Sequence, residues 1–157
     1  MTLPPRGLTD MENFKIATAE SCTGGLIASR LTDISGASNY FKGGVIAYTN
    51  EIKKSILRVK SETLEKFGAV SSQTAMEMAS NVRKIFSATI GLSSTGVAGP
   101  LTSENKPVGL VYVAIVGENF SEVREFHFKG SRTEIKFQAA DGAFNLLMKY
   151  VTFAENQ

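Results

Sequence analysis

The sequence predicts an α/β protein, a three-layer α/β/α sandwich around a mixed sheet of about five strands. Strand-like and helix-like patterns follow one another in the order βα-βααα-ββ-βα. The segment 108–116 is nearly all apolar, which is typical of a central strand covered on both faces. The chain has 157 residues, 43% hydrophobic and 20% charged, which suits one globular core. We expect residues 1–13 to be a short lead-in and residues 14–157 a single domain.

Local patterns place the individual elements. Strands are predicted at 14–19, 41–48, 88–94, 108–116 and 121–128, and the last of these alternates as an edge strand does. Gly43 and Gly44 inside the second strand predict a bulge or a close approach of another backbone or of a ligand. Helices are predicted at 22–33, from a cap at Asn50 to Leu57, from a cap at Ser61 to Gly68, from Ser71 to Phe86, and from the Ser131–Glu134 capping box to Val151.

Composition and charge exclude several classes of protein. The net charge of +2 gives no electrostatic footprint for nucleic acid. The most apolar run, 108–116, is too short to cross a bilayer, and the first seven residues lack the apolar block of a secretory signal. One cysteine rules out an intrachain disulfide. We therefore expect a cytoplasmic protein with neither a nucleic-acid nor a membrane partner.

The single histidine narrows the chemistry further. A zinc site would need Asp and Glu for nearly all of its ligands, so no metal site is predicted. A Ser-His or Cys-His enzyme would have to use His127 as its base. That residue lies in an alternating strand, which favours a half-buried or solvent-facing histidine.

The run Ala19–Gly25, AESCTGG, lies where the first strand turns into the first helix. Free backbone N–H groups at a helix start can bind an anion or an oxyanion, and glycines allow close approach. Ser21 is a candidate nucleophile here, but serine is also a frequent helix N-cap. Cys22 is the rival nucleophile, since helix N-termini favour thiolates. The alternative for Cys22 is a small side chain that faces the core.

Lys53 is the candidate base for Ser21. With Asn50 as N-cap, it would stand at the third position of a helix, where the helix dipole and partial burial both lower a lysine pKa. A serine-lysine pair performs the work of serine-histidine without a histidine. The alternative is a solvated surface lysine, and the adjacent Lys54 is an internal control. Tyr48 either shares the proton and positions the substrate or simply ends the strand.

A second glycine-bearing loop, Ser94–Pro100, follows the third strand. In α/β proteins ligands bind at the carboxyl ends of strands, so this loop could hold a phosphate, although a plain turn is equally compatible. Arg132 lies at the start of the last helix and is either a phosphate clamp or a solvated arginine.

Six segments recur together in one known family: AESCTGG, GG-x-x-x-Y-x-N-E-x-K, FGAVS, STGVAGP, KPVG and G-x-R. Over about residues 14–150 the sequence resembles the C-terminal domain of the competence/damage-inducible protein CinA. Stand-alone forms of that domain are nicotinamide-nucleotide amidases. The likeness does not include the pyrophosphatase-like N-terminal domain of CinA, so we do not expect that activity here.

The resemblance implies hydrolysis of nicotinamide mononucleotide to nicotinate mononucleotide and ammonia. It implies that Ser21 is the nucleophile, Lys53 the base and Tyr48 the motif tyrosine. The turn would bind the oxyanion and substrate, with backbone N–H groups of Thr23, Gly24 and Gly25 as donors and Cys22 beside them. Arg132 and the second loop would handle the mononucleotide, the loop through Thr95, Gly96, Ala98 and Gly99. No cofactor is implied.

The sequence departs from the family pattern in three places. The segment 101–105 replaces a loop that is often glycine-rich, and Lys136 stands where an arginine is common. Lysine keeps the charge but loses the bidentate fork. The segment before the first strand is short, which, with the family analogy, leads us to expect a homo-oligomer. Two other functions stay open: a non-catalytic nucleotide-binding or competence-associated module, and an amidase for another small amide.

Overall fold

A five-stranded mixed sheet organises the computed structural model of the protein, which describes Met11 and residues 13–155. The strands are β1 (Ile16–Glu20), β2 (Phe41–Ile46), β3 (Ile90–Gly96), β4 (Leu110–Val116) and β5 (Ser121–His127). Their order across the sheet is β2-β1-β3-β4-β5. β1 pairs in parallel with β2 and β3, whereas β4 is antiparallel to β3 and β5. Most of the predicted lead-in, residues 1–10 and residue 12, lies outside the described residues.

Helices cover both faces of the sheet, which confirms the predicted three layers. They are α1 (Leu26–Leu31), α2 (Asn50–Ser55), α3 (Ser61–Phe67), α4 (Ser72–Ile85) and α5 (Arg132–Glu155), with a 3-10 turn at Ala37–Asn39. On one face Ile27 of α1 and Leu147 of α5 share a core with Val113 of β4. On the other face Met78 of α4 packs with Ala17 of β1. β4 lies inside the sheet and β5 at its edge, as predicted.

Small side chains let α4 lie unusually close to the sheet. A Cβ placed on Gly91 of β3 would come 2.0 Å from the carbonyl oxygen of Ala79. The hydroxyl of Ser93 donates to the carbonyl of Ala75 at 2.6 Å. Close packing of this kind tolerates no added methyl group without a shift of the backbone.

The predicted irregularity in the second strand is a bulge. Ile16 pairs with Phe41 but Ala17 pairs with Gly43, so one residue of β2 is skipped. A Cβ on Gly44 would come 2.2 Å from the Thr18 hydroxyl oxygen. The glycine pair therefore serves a bulge and a close approach, the two roles that glycine has inside strands.

The first helix begins four residues later than predicted. Gly24 and Gly25 have φ values of +59° and +102°, which a right-handed helix does not allow, so 21–25 form a turn and α1 begins at Leu26. The helix N-cap is Gly25, with no side-chain cap.

Two predicted caps, Asn50 and Ser61, were wrong, and the predicted capping box is confirmed. α2 is capped by Thr49, whose hydroxyl accepts from the Ile52 N–H at 3.3 Å, and α3 by Lys60 rather than by the serine that follows it. The hydroxyl of Ser71 accepts from the Thr74 N–H and caps α4. The capping box at the start of α5 is confirmed, because its serine and glutamate bond reciprocally. None of the helices in the described part of the chain combines the length and the apolar character that crossing a membrane requires.

Candidate active site

Ser21 and Lys53 meet at the carboxyl edge of the parallel strands. Ser21 directly follows β1, and its N–H donates to the carbonyl of Ser94 at 2.9 Å, which fixes its backbone to β3. Lys53 lies on α2, which follows β2, the neighbour of β1 on the other side. Its Nζ donates to Ser21 Oγ at 2.8 Å. The topology thus brings together two side chains that are 32 positions apart.

Lys53 is almost completely buried, with 1% of its surface exposed. Its Nζ also donates to the carbonyl oxygens of Ala47 at 2.8 Å and Tyr48 at 3.2 Å. Burial lowers the pKa of Lys53 from 10.5 to about 8, while Coulomb interactions with Cys22 and Glu104 act in the opposite direction. The neutral amine is therefore accessible near physiological pH.

The helix dipole contributes less to this pKa than the sequence suggests. With Thr49 as the cap, Lys53 is the fourth residue of the helix, and its N–H donates to the Thr49 carbonyl at 3.0 Å. Desolvation by burial is the main cause of the shift. Lys54, one residue further along α2, is exposed.

Ser21 is not a helix cap, because the turn 21–25 separates it from α1. The capping work is done instead by Glu20, the last residue of β1, which is 1% exposed. Its carboxylate accepts from the N–H groups of Ile27 at 2.8 Å and Ala28 at 3.0 Å. This role was not predicted from the sequence, because Glu20 lies six positions before Leu26 and reaches the helix start only through the turn 21–25.

The last three residues of the turn, 23–25, make hydrogen bonds to neighbouring residues and do not line the cleft. The hydroxyl of Thr23 donates to Glu20 at 2.6 Å and lies 2.6 Å from the hydroxyl of Ser94. The N–H of Gly24 donates to the carbonyl of Ser21 at 3.0 Å, so this donor is already engaged. Thr23, Gly24 and Gly25 do not line the cleft in front of Ser21.

That cleft has a volume of about 400 Å³. Nine predicted site residues line it: Ser21, Cys22, Tyr48, Lys53, Thr95, Gly96, Ala98, Gly99 and Arg132. Sequence analysis missed seven others: Asn50, Ala69, Val70, Val97, Leu101, Ser103 and Glu104. A larger open groove of about 710 Å³ lies beside α4, but none of its lining residues is a predicted site residue.

Arg132 bridges the mouth of the cleft. One guanidinium nitrogen donates to the hydroxyl of Tyr48 at 2.8 Å and another to the carbonyl of Gly99. Both acceptors are neutral, and no carboxylate of the described residues lies within 4.0 Å of this guanidinium. Its charge is therefore available to an anionic ligand. The Tyr48 hydroxyl is bonded to Arg132 and to neither Ser21 nor Lys53.

The two remaining candidates for nucleophile and base are poorly suited to those roles. Cys22 is 6% exposed, and burial raises the pKa of its thiol to about 12, which disfavours the thiolate. His127 is exposed on the edge strand β5, 3.2 Å from Glu125, as expected for a solvent-facing histidine. Within the described residues, no group of three or more His, Cys, Asp or Glu side chains is arranged to hold a metal ion.

Several curated proteins resemble this chain. A competence-damage inducible protein of Acetivibrio thermocellus is 55% identical over 140 residues, which are 88% of this chain and 34% of that protein. One from Bacillus subtilis is 49% identical over 138 residues, which are 88% of this chain and 33% of that protein. The chain thus spans about a third of the length of these relatives.

Solved structures resemble the fold over nearly the whole chain. The crystal structure of the competence/damage inducible protein CihA from Agrobacterium tumefaciens matches with a TM-score of 0.89 and 39% identity, and the match covers 100% of both chains. A CinA superfamily protein from Escherichia coli matches with a TM-score of 0.86 and 30% identity, over 92% of this chain and 84% of that one. The sequence model of the CinA C-terminal domain matches residues 7–151. The chain therefore belongs to the CinA C-terminal domain family.

Proposed function

We propose that the protein is an amidohydrolase that converts nicotinamide mononucleotide to nicotinate mononucleotide and ammonia. The observation that carries the proposal is the set of partners around Lys53 Nζ. A neutral lysine amine has two N–H bonds and one lone pair. In the charged form Nζ donates to all three oxygens. Once Nζ has lost a proton, the carbonyl oxygens of Ala47 and Tyr48 still accept its two N–H bonds, and the hydrogen bond with Ser21 reverses, so that the lone pair accepts from the Ser21 hydroxyl. This is the arrangement that a general base for Ser21 needs.

The reaction follows from that arrangement. Ser21 Oγ attacks the carboxamide carbon while its proton passes to Lys53 Nζ. The tetrahedral intermediate collapses, Lys53 returns the proton to the leaving nitrogen, and ammonia departs from an acyl ester on Ser21. Water, deprotonated by Lys53, then attacks the ester, which releases the carboxylate product and restores the Ser21 hydroxyl.

The developing oxyanion needs donors close to Ser21. The Gly24 N–H is bonded to Ser21 itself, whereas the N–H groups of Cys22 and Thr23 make no backbone hydrogen bond in the described part of the chain. We assign the oxyanion to the Cys22 N–H, because Cys22 lines the cleft in front of Ser21 whereas Thr23 does not. Preorganised backbone donors of this kind are among the largest single contributions to acyl transfer.

We assign the phosphate of the mononucleotide to Arg132 at the mouth of the cleft. Arg132 lies at the start of α5 and has neutral partners only, so a phosphate would gain both its charge and the positive end of the helix dipole. The family resemblance supports nicotinamide mononucleotide as the compound with an amide at one end and a phosphate at the other.

Ammonia release from nicotinamide mononucleotide tests the proposal, with Ser21→Ala as the variant. Ser29→Ala is the matched control, because Ser29 is an exposed serine on α1. We expect Ser21→Ala to lower kcat by about a thousandfold or more, since loss of a catalytic nucleophile removes the covalent route. Ser29→Ala should retain the wild-type rate.

The other two functions give different results in the same assay. Binding of the mononucleotide without ammonia release would favour a non-catalytic binding module. Release from another small amide but not from the mononucleotide would keep the chemistry and replace the substrate.

A further inference from the structure

Two family segments have no part in the serine-lysine chemistry, and they contact each other beside the cleft. They are 67–71, FGAVS, and 106–109, KPVG. The Nζ of Lys106 donates to the carbonyl oxygen of Phe67 at 2.7 Å and to that of Val70. The lysine of one segment therefore holds the backbone of the other.

Glu104 binds the same backbone segment, 67–71, through the N–H groups of that segment. One carboxylate oxygen accepts from the Ala69 N–H at 2.8 Å, and the other from the Val70 N–H at 3.1 Å and from Lys106 at 3.2 Å. Burial raises the pKa of Glu104, but the hydrogen bonds from these three donors outweigh that effect and hold the pKa below its ordinary value. The carboxylate is therefore charged and accepts at both oxygens.

The rest of the segment is held as completely. The Thr95 hydroxyl donates to the Ala69 carbonyl at 2.8 Å, and the Thr74 hydroxyl donates to the Gly68 carbonyl at 2.7 Å. The Gly68 N–H donates to α3 at 2.9 Å. Every backbone N–H and C=O from Gly68 to Val70 thus has a partner, although the segment is neither helix nor strand.

A tight turn brings Glu104 and Lys106 close to each other. The Lys106 N–H donates to the Ser103 carbonyl at 2.8 Å, and Glu104 and Asn105 between them have φ values of +55° and +59°. Two central residues with positive φ define a type I′ turn, which asparagine tolerates and glutamate adopts rarely. A Cβ on Gly68 would come 2.5 Å from the Glu104 carboxylate, so glycine is needed opposite the turn.

The segment so held forms one side of the cleft that contains Ser21. Four of the residues that line the cleft have small apolar side chains: Ala69, Val70, Val97 and Ala98. Val70 and Val97 pack on Leu110 behind them. We name these four residues the apolar wall. A wall without long or polar side chains fits the flat face of an aromatic ring better than it fits a short acyclic amide.

We propose that Glu104 and Lys106 are positioning residues that hold the apolar wall at the place where the ring of an aromatic carboxamide lies, so that its amide meets Ser21 Oγ. This inference rests on the proposed function, because it takes Ser21 as the nucleophile. It adds the two residues that position the ring of that substrate.

Two sulfonyl fluorides test the inference without the natural substrate. Ser21 Oγ attacks the sulfur, fluoride leaves, and Lys53 accepts the hydroxyl proton, so the protein gains one sulfonyl group that mass spectrometry counts and locates. Phenylmethanesulfonyl fluoride carries a ring that needs the wall, whereas methanesulfonyl fluoride does not. The variants are Glu104→Gln and Lys106→Met. Glu118→Gln and Lys84→Met are matched controls at exposed positions.

We expect both test variants to lose about tenfold in the rate of labelling by the phenyl reagent, because small displacements of a positioning surface cost that much or more. The ratio of the phenyl rate to the methyl rate should therefore fall about tenfold, because any change in the pKa of Lys53 on loss of the Glu104 charge affects both reagents alike. Labelling by the methyl reagent also shows that the variants are folded with an intact Ser21. The controls should change neither rate. Hydrogen exchange at Ala69 and Val70 should become faster only in the test variants.

Other outcomes overturn the inference in distinguishable ways. If both reagents slow equally, or neither slows, Glu104 and Lys106 do not select a ring, although Ser21 remains the nucleophile. If wild-type Ser21 takes up neither reagent, the proposed function fails and the positioning role fails with it. Faster exchange at Ala69 and Val70 would then assign the two residues to structure alone.

Discussion

Burying Lys53 makes the stability of the protein depend on pH in a way that can be measured without a substrate. The ammonium has three oxygen acceptors but no carboxylate partner among the described residues. Its pKa of about 8 in the folded protein, against 10.5 ordinarily, means that folding opposes the charged form. For a lysine with only a structural role, burial of this kind brings no stability, whereas it gives a general base the lowered pKa that the base needs.

We predict that Lys53→Met is more stable than the wild type at pH 7, and that the difference disappears as pH rises. Between about pH 8 and 10.5 the unfolded wild-type chain binds more protons at Lys53 than the folded protein. This residue's contribution to the free energy of unfolding therefore increases with pH across that range, by something on the order of 3 kcal/mol. Urea denaturation at pH 7, 8 and 9 measures the first part of this increase.

The control is Lys54→Met, which removes an exposed lysine and should follow the wild-type curve. Cys22, with a pKa raised to about 12 by burial, lowers stability as pH rises above 9. Because Cys22 and Lys53 interact electrostatically, this contribution differs in Lys53→Met, and the comparison is made between pH 7 and 9, where Cys22 contributes little. Parallel curves for the wild type and Lys53→Met would mean that Lys53 is not held in the state described here.

Ser21 and Lys53 could both be predicted as a pair from the sequence. Whether Ser21 caps a helix, and what sets the pKa of Lys53, could not. Ser21 and Lys53 were recognisable because each follows a strand at the start of a helical pattern. Whether Ser21 caps a helix depends on the positive φ of Gly24 and Gly25, which composition alone does not determine. The lowered pKa of Lys53 depends mainly on burial by residues distant in sequence, whereas the sequence indicated the helix dipole and partial burial together.

At the scale of elements, α1 depends on a carboxylate outside it. The helix has six residues and its cap, Gly25, has no side chain. Glu20 supplies the missing acceptors for Ile27 and Ala28 from the end of β1. Because the same residue directly precedes Ser21, the strand end, the turn and the helix start form one hydrogen-bonded unit.

We predict that Glu20→Gln lowers the free energy of unfolding by about 1–3 kcal/mol, the usual range for a hydrogen bond to a buried charged group. The glutamine side chain of the variant has one acceptor oxygen instead of two. Its NH2 group points at groups that are themselves donors. Glu51→Gln, at an exposed position of α2, is the matched control and should change stability little. Urea denaturation at pH 7 measures both. Equal stability of the two variants would show that α1 does not depend on Glu20.

The existence and order of the elements were predictable, because apolar periodicity determines them. Their ends were less so. α2 is capped by Thr49 rather than by the predicted Asn50. The first helix begins one turn later than predicted, because Gly24 and Gly25 have positive φ values. The ends of helices depend on single side-chain hydrogen bonds and on backbone φ angles, which apolar periodicity does not reveal.

At the scale of the whole molecule, the parallel half of the sheet assembles the site. β1, β2 and β3 end at one edge; Ser21 and Lys53 lie in the segments that follow β1 and β2, and Thr95 lies at the end of β3. α5 adds Arg132 across the mouth. Ligand sites at the carboxyl edge of parallel strands are the rule for such sheets, which is why these residues could be predicted together.

The wall of the cleft could not be predicted in the same way. Its residues come from 67–71 and 97–98, and its supports from a turn with two positive φ angles. No spacing in the sequence indicates that Glu104 reaches the backbone of Ala69, which is 35 positions away. Contacts of this kind arise only from tertiary structure.

The most direct test of the central claim compares two adjacent lysines. We would measure kcat/KM for ammonia release from nicotinamide mononucleotide in the wild type, Lys53→Met and Lys54→Met. With Lys53 as general base for Ser21, Lys53→Met should lose about a hundredfold to ten-thousandfold. Lys54→Met should stay within about twofold of the wild type, because exposed substitutions rarely matter. Wild-type turnover in Lys53→Met would contradict the serine-lysine mechanism.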